Sequence, residues 1–278
     1  MEVGVYVLNV GRFDLASGSY TIDFYLSMRC ATSNCILGSF EFMNGRATST
    51  RQIEDTPVEK FWRIEANLYQ NLNLQSYPFD SHELAIKIED TTVAKQNLTY
   101  VPDRKNSGLD PSIVIVGWSV AGWDQRVVDH YYQAYNQTYS QYVFSITLNR
   151  ESAHPIEILI PVFFLTLITL IALLMYGKVS SVLESRILLT ASVLVAAVLY
   201  QFTLDSTIPP LGYLTFMDDL MIVTYAIIVT CLVLGIMILK SHHRGAMTES
   251  DRIQFYSVRV VPLATLLIFG LLFSLLLK

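Results

Sequence analysis

Hydrophobic and polar residues alternate along the first 150 residues of the chain, in six short runs. In each run apolar side chains recur at every second position, which is typical of half-buried β-strands. Turn-forming clusters such as Asn44-Gly45 and Tyr77-Pro78 separate the runs. The runs are 3–10, 20–28, 62–72, 83–88, 112–120 and 142–149. This pattern predicts an immunoglobulin-like β-sandwich of about ten short antiparallel strands.

The pattern changes after residue 150, where four long apolar segments follow one another. They are 158–176, 187–204, 220–239 and 260–277, and each is uncharged over the length that a membrane-spanning helix needs. Residues 151–278 hold only 7 Lys/Arg and 8 Asp/Glu, against 12 and 16 in residues 1–150. We therefore predict a soluble domain over 1–150 and a four-helix transmembrane bundle over 151–278. Its helices should cover about 155–177, 182–204, 213–240 and 255–277.

The connectors between the apolar segments carry the charges that set orientation. Lys178 and Arg186 lie between the first two segments, and Lys240 and Arg244 follow the third. Because cytoplasmic loops carry an excess of Lys and Arg, both connectors should face the cytoplasm. The chain is thus expected to be a multi-pass protein of the cell (inner) membrane, surrounded by lipid. Its N-terminal domain should be extracellular or periplasmic.

The second apolar segment has one carboxylate at each end, Glu184 and Asp205. As a helix, the span between them is about 31 Å long, close to the hydrocarbon thickness of a bilayer. Helical spacing places seven residues on one stripe: Glu184, Leu188, Ser192, Val195, Leu199, Phe202 and Asp205. Carboxylates at both ends with bulky apolar groups between them suit a cation pore that closes by dewetting. A lipid-facing helix flanked by chance charges fits the same pattern.

The remaining chemistry argues against several functions. The five histidines have no metal-ligand spacing with Cys, Asp or Glu, and there is no phosphate-binding loop or nucleophile elbow. An enzyme, a metal site and a cofactor are therefore not expected. The net charge of −5 without a basic patch gives no indication of nucleic acid as a partner. Cys30 and Cys35 flank a short turn, and either a disulfide or two unpaired thiols would fit.

Four landmarks give the chain its resemblance to the pentameric ligand-gated ion channels. The first is the turn Tyr77-Pro78-Phe79-Asp80, which is followed by the strand at 81–88. The second is the run 144–150, which resembles the family's last strand and ends on Arg150. A first helix containing Pro161 follows it, and then come the second helix, the Pro209-Pro210 connector and a helix beginning near 218, in family order. The resemblance covers nearly the whole chain.

Within that superfamily the chain resembles the prokaryotic branch. The animal receptors have two cysteines that frame the aromatic-Pro-Phe-Asp turn, and this sequence has none at those places. They also have a long intracellular domain between the third and fourth helices, where this chain has only 240–254. Two features depart from the family: the link between Cys30 and Glu41 is short, and a Trp that often precedes the first binding loop is missing. The binding loops are therefore harder to assign than the pore.

The resemblance implies a homopentamer, in which each subunit has four identical partners and contributes its second helix to a central pore. A ring of Glu184 carboxylates at the cytoplasmic mouth would then concentrate monovalent cations, with Asp205 doing the same outside. Val195, Leu199 and Phe202 would form the constriction, unless they are ordinary packing residues. Arg186 could reverse the charge selectivity, but it falls roughly 200° around the helix from Glu184. We assign it an interhelical or membrane-surface role.

The resemblance also implies a ligand site between adjacent subunits and a set of residues that couple it to the pore. The Tyr-rich run 130–142 resembles the family's capping loop, and its rings could hold a small amphipathic or aromatic agonist. The predicted ligand-binding residues are Tyr131, Tyr132 and Tyr139 in this loop, Glu89 and Thr91 in a neighbouring loop, and Tyr25 and Arg63 on the opposing subunit face. The predicted coupling residues are Asp14, Tyr77, Pro78, Phe79, Asp80, Arg150, Pro209 and Pro210. Glu89 and Arg63 have opposite charges, so the charge of the agonist stays open.

Overall fold

The structure, a computed structural model, describes residues 1–30, 39–177, 179–208 and 210–276. Within these ranges, ten strands precede four helices. The strands are β1 (Glu2–Asp14), β2 (Ser19–Arg29), β3 (Phe40–Phe42), β4 (Gly45–Asp55), β5 (Glu59–Tyr69), β6 (Ser81–Asp90), β7 (Val101–Pro102), β8 (Gly108–Leu109), β9 (Trp118–Tyr132) and β10 (Gln137–Arg150). The helices are α1 (Ala153–Leu174), α2 (Ser180–Asp205), α3 (Phe216–His243) and α4 (Met247–Leu276).

The strands form two sheets. One has the order β4-β5-β2-β1-β7, with β8 also paired to β1, and the other has the order β3-β6-β10-β9. The long strands pair antiparallel, as expected, but the two-residue strands β7 and β8 run parallel to β1. The prediction of antiparallel pairing throughout was therefore wrong for these two short strands. They are segments of a long connection between β6 and β9 that lie alongside β1.

The alternation of apolar and polar residues in the sequence predicted strands that have a buried apolar face. It missed strands that lack such a face. In β5, Trp62, Ile64, Ala66 and Leu68 point into the core and the residues between them are exposed. In β4 every residue except the first is exposed, and most of β9 is exposed as well. The predicted strand at 112–120 was wrong: β9 begins at Trp118 and continues to Tyr132. Without an apolar face, a strand leaves no period-two signal in the sequence.

All four helices are long and apolar enough to cross a membrane, so the chain is a membrane protein with a β domain followed by four candidate spans. The fourth helix differs most from its prediction, because it begins at Met247 rather than near residue 255. Its first turns bury the polar side chains of Ser250, Gln254 and Ser257. A buried helix face made of Ser and Gln carries no hydrophobic periodicity. The gap after α3 is therefore only three residues, 244–246.

The described chain divides into two compact units: residues 1–73 with 81–151, and residues 74–80 with 152–278. The expected boundary near 150 misses the short segment 74–80, which groups with the helices. Two hydrogen bonds hold it there: the Leu74 amide donates to the Tyr213 hydroxyl at 3.0 Å, and the Phe216 amide donates to the Gln75 carbonyl at 2.8 Å. Cys30 is disulfide-bonded and the buried Cys231 is a free thiol, while Cys35 lies outside the described residues.

Candidate functional site

The second helix has two faces of different character. All seven residues of the predicted pore stripe are exposed, and its apolar members are exposed by 61–68%: Leu188, Val195, Leu199 and Phe202. The opposite stripe is buried within the chain's own helical bundle and consists of Leu183, Arg186, Thr190, Val193, Ala197 and Leu204. An apolar face this exposed in a single chain requires either lipid or further subunits to cover it.

Both carboxylates of α2 lie near its ends, and Ser192 lies on the exposed stripe. Glu184 is exposed one turn into the helix, and Asp205 at the other end accepts a hydrogen bond from Gln201 Nε2 at 2.9 Å. The Ser192 hydroxyl donates to the Leu188 carbonyl at 2.9 Å, which leaves its oxygen lone pairs on the exposed side. Arg186, by contrast, is only 1% exposed. Its positive charge therefore lies inside the bundle and away from the stripe.

The connector after α2 lines an open cavity of about 390 Å³. Its lining includes Asp205, Pro210, Tyr213 and Asp218. Asp218 forms a capping box with Thr215, whose hydroxyl accepts from the Asp218 amide while the carboxylate accepts from the Thr215 amide. This arrangement fixes the first turn of α3. Pro209, predicted as a coupling residue, lies outside the described residues.

In the turn Tyr77-Pro78-Phe79-Asp80, the ring of Phe79 packs against rings of α3 and α4. The Tyr77–Pro78 peptide bond is cis, and the Tyr77 and Phe79 amides donate to the Leu74 and Ser76 carbonyls. The Phe79 ring lies 5.9 Å from that of Phe216 on α3 and 6.5 Å from that of Phe273 on α4. Phe216 and Phe273 are themselves 5.2 Å apart in an edge-to-face arrangement. Sequence reasoning missed both helix residues, because an apolar run gives no sign of which member meets a distant turn.

The predicted coupling residues of the β domain lie in loops and at strand ends. Hydrogen bonds from the Ser17 hydroxyl and the Ala16 amide hold the pKa of the Asp14 carboxyl below its usual range. Arg150, the last residue of β10, places its guanidinium 4.4 Å from the centre of the Trp118 ring. Asp80 is buried and is the last residue of the segment that groups with the helices. Asp80 and Arg150 thus each lie within two residues of a boundary between the two units.

Glu89 is at the centre of a polar cluster inside the β domain. Its side chain is only 2% exposed. The carboxylate accepts from Gln141 Nε2 at 2.5 Å and from the Tyr132 hydroxyl at 2.9 Å, and it pairs with His130 Nδ1 at 2.5 Å. Three hydrogen-bonding partners occupy most of its acceptor capacity. His130 and Gln141 were not predicted, since only the pairing of β6 with β10 and of β10 with β9 brings them to Glu89.

Tyrosine rings extend this cluster to the surface. Tyr132 lies 4.3 Å from the His130 ring, 5.5 Å from Tyr139 and 6.3 Å from Tyr135. Burial and the bond to Glu89 raise the pKa of the Tyr132 hydroxyl, so it stays protonated and donates. Tyr131 and Tyr135 are exposed by 55% and 74%. The hairpin of β9 and β10 therefore places the rings of Tyr135 and Tyr139 beside Tyr132, which bonds the buried Glu89 carboxylate, whereas Tyr131 lies on the opposite face of β9.

The other predicted ligand residues lie elsewhere on the β domain. Tyr25 on β2 stacks on Phe61 at 5.1 Å and is the cross-strand partner of Arg63 on β5. Arg63 donates two hydrogen bonds to Asp23, at 3.2 Å and 2.6 Å, and their pairing raises the pKa of the guanidinium. The Thr91 hydroxyl is bonded to that of Ser39. Tyr25 and Arg63 belong to one sheet and Glu89 to the other, so the structure groups the predicted residues into two separate sets.

Comparison with known proteins gives one informative relationship. No family model matches the sequence. The chain is 23% identical over 172 residues to a proton-gated ion channel of Gloeobacter violaceus. The alignment covers 62% of this chain and 46% of the relative, so the chain matches about half the length of that protein. This relationship, with a β domain followed by four apolar helices, confirms the resemblance found in the sequence: the chain is a distant homologue of a prokaryotic pentameric ligand-gated ion channel.

Proposed function

We propose that the protein is a ligand-gated, cation-selective ion channel formed by five copies of this chain around a central pore. The observation that carries the proposal is the division of α2 into two faces. Its exposed stripe has carboxylates at both ends and a run of apolar side chains between Ser192 and Asp205. Its buried stripe contains Arg186, the helix's only cation. Five such stripes around one axis would line a pore with negative ends and an apolar gate.

The charge pattern of α2 supports selectivity for cations. Glu184 and Asp205 are exposed while Arg186 is 1% exposed, so the charges that an ion would meet are carboxylates. A ring of carboxylates in a narrow pore concentrates cations and repels anions. The exposed Leu199 and Phe202 would narrow the pore with apolar groups, which can block ions by excluding water. Monovalent cations are the proposed permeant ions.

The agonist is proposed to bind between the β domains of adjacent subunits. One side would be the capping-loop hairpin with its exposed rings, Tyr131 and Tyr135, together with Tyr139 and Thr91. The other side would be the pair Tyr25 and Arg63 of the next subunit. Since Glu89 is already bonded to three side chains, we assign it the role of orienting Tyr132 and His130. Exposed rings suit a small amphipathic or aromatic agonist.

Protons are a second candidate for the activating ligand, because the Gloeobacter relative is a proton-gated channel. The Glu89 cluster is within reach of solvent, since His130 lies 2.5 Å from the carboxylate and its side chain is 40% exposed. A proton and a small organic agonist would therefore act on the same cluster.

Coupling is assigned to the turn 77–80, to Arg150 and to the connector that contains Pro210. Phe79 joins the turn to α3 and α4 through the aromatic cluster, and Asp80 and Arg150 lie next to the boundaries between the two units. If Asp80 pairs with Arg150 where little water is present, removing either side chain would leave the other charge unpaired, at a cost in stability. Asp14 is proposed as a second carboxylate partner for Arg150.

A different class of function also fits the fold: a membrane-anchored sensor or binding module that conducts no ions. The exposed apolar face of α2 would then contact lipid. The deciding experiment is voltage-clamp recording from cells that express the full chain, with its surface expression verified, while pH and small aromatic amines are varied. Cation currents that follow ion substitution would support the channel. Absence of current under every condition would favour the sensor.

A further inference from the structure

Arg186 is the largest fully buried side chain of the described residues, and it is a cation within an apolar helix. Its Nη1 donates a hydrogen bond of 2.7 Å to Gln254 Oε1 on α4. Its Nε and Nη2 have no hydrogen-bond partner among the described residues. A charged group inside a membrane bundle is costly and tends to mark a functional position. The Gln254 amide oxygen is thus the acceptor on which the position of this guanidinium depends.

Gln254 connects three helices. While its oxygen accepts from Arg186 of α2, its Nε2 donates to the Leu173 carbonyl of α1 at 2.8 Å. That carbonyl is one of the last four of α1, which have no partner within the helix. One turn earlier on α4, the Asp251 carboxylate accepts from the hydroxyl of Tyr176, just beyond α1, and Ser250 Oγ lies 3.5 Å from that hydroxyl. The first turns of α4 therefore hold both the end of α1 and the start of α2.

The bond to Gln254 fixes the rotation of α2 about its own axis. Helices α1 and α3 each contact both α2 and α4, so Arg186 reaches across the centre of the bundle to α4. Gly235 on α3 packs closely on this part of α2: a Cβ there would lie 3.3 Å from Ile187 Cγ1, a tight contact, and 3.6 Å from Arg186 Nε, an ordinary one. Residues two apart on a helix are roughly 200° apart around its axis. Anchoring Arg186 inward therefore turns Glu184 outward, toward the exposed stripe.

We propose that Arg186 and Gln254 are positioning residues, which set the rotation of the pore helix and so direct the Glu184 carboxylates into the pore. The proposal rests on the pore role of α2 argued above. It assigns to α4 a part in ion selectivity, although the proposed pore is lined by α2. Loss of the bond would let α2 turn and would bring half-buried positions such as Ile187 toward the stripe.

The test uses two single-cysteine reporters on α2, Leu188→Cys on the stripe and Ile187→Cys beside it. Each is placed in the full chain in lipid, and its labelling rate by a charged, membrane-impermeant thiol reagent is compared with that of the parent, whose Cys231 is buried. We expect Leu188→Cys to react much faster than Ile187→Cys. With Gln254→Leu the ratio of the two rates should fall about tenfold, the equivalent of one hydrogen bond to a charged group.

Two further variants separate positioning from general loosening. Gln254→Glu keeps an acceptor for Arg186 but loses the donor to Leu173, so it should retain the parental ratio. Ser257→Ala is the matched control: Ser257 is buried on the same face of α4, but its hydroxyl donates to the Ile253 carbonyl of its own helix. It too should retain the ratio. An unchanged ratio in Gln254→Leu, or an equal loss in Ser257→Ala or Gln254→Glu, would overturn the proposal.

The same measurements separate this proposal from the proposed function. Equal labelling of the two reporters in the otherwise native chain would contradict a fixed rotation of α2 and would overturn the positioning role directly. The parental ratio, its loss in Gln254→Leu and its retention in Gln254→Glu would support positioning even in a chain that passes no current. In that case the proposed channel function would be refuted, and the positioning role of Arg186 and Gln254 would stand.

Discussion

Replacing Glu89 with glutamine tests whether this buried carboxylate organises the aromatic face of the β domain. Glutamine has nearly the same shape, and its amide oxygen can still accept from His130 and Gln141. Tyr132 can rotate its hydroxyl to accept from the new amide nitrogen. The substitution removes the negative charge. Hydrogen bonds to a charged group, worth about 1.5–3 kcal/mol each, thereby become neutral hydrogen bonds worth about 1 kcal/mol each. Since three hydrogen bonds are affected, we expect the free energy of local unfolding around Glu89 to fall by about 2 kcal/mol.

Hydrogen exchange of the full-length protein measures this loss directly. A loss of about 2 kcal/mol corresponds to roughly 30-fold faster exchange of the backbone amides in β6 and β10. Glu89→Ala should cost more, about 3 kcal/mol, because it removes the carboxylate to which Gln141, Tyr132 and His130 are all bonded. Glu65→Gln, on the exposed face of β5, is the matched control and should change stability by less than about 0.5 kcal/mol. Equal effects of the two glutamine substitutions would refute the organising role of Glu89.

Three further predictions concern the pore, the aromatic cluster and coupling. Glu184→Gln should shift the reversal potential in a salt gradient more than Asp205→Asn, since charges in a wide outer vestibule are screened within about 8 Å; equal shifts would contradict this order. Phe273→Ala should destabilise the detergent-solubilised chain by about 2 kcal/mol in thermal unfolding, as expected for a half-buried ring, and an unchanged unfolding temperature would exclude a structural role for the cluster. Asp80→Ala and Arg150→Ala should each impair gating, and their double-mutant cycle should give a coupling energy of about 1 kcal/mol or more; additive effects would mean that the two side chains do not interact.

The sequence allowed the element types and the two faces of α2 to be predicted, because both leave a periodic signal. Spacing along α2 placed Leu188 and Phe202 on one stripe, and both are exposed in the structure, while Arg186 on the other side is buried. The start of α4 could not be predicted in this way. Its buried face is polar there, with Gln254 serving as a hydrogen-bond partner for Arg186. Hydrophobic periodicity detects apolar burial only.

The partners of the site residues were beyond reach for a different reason. Glu89 is 41 residues from His130 and 52 from Gln141, so only strand pairing brings them together. The resemblance to the family could single out Glu89 by its position in the sequence. It could not predict that the side chain is buried or that it has three hydrogen-bonding partners. In the same way, Phe79 could be predicted to lie in a coupling turn, whereas its contact with Phe273, near the other end of the chain, depends on how the helices pack.

The reversal potential of the purified full-length protein in planar bilayers, under a tenfold gradient of potassium chloride, tests the central claim most directly. The channel is opened by the condition, acidic pH or aromatic amine, that gives current in cells. We predict a reversal potential close to the equilibrium potential of potassium, because the ions meet Glu184 and Asp205 while Arg186 stays buried. A reversal potential close to that of chloride, or a bilayer that stays silent under every condition, would contradict the account.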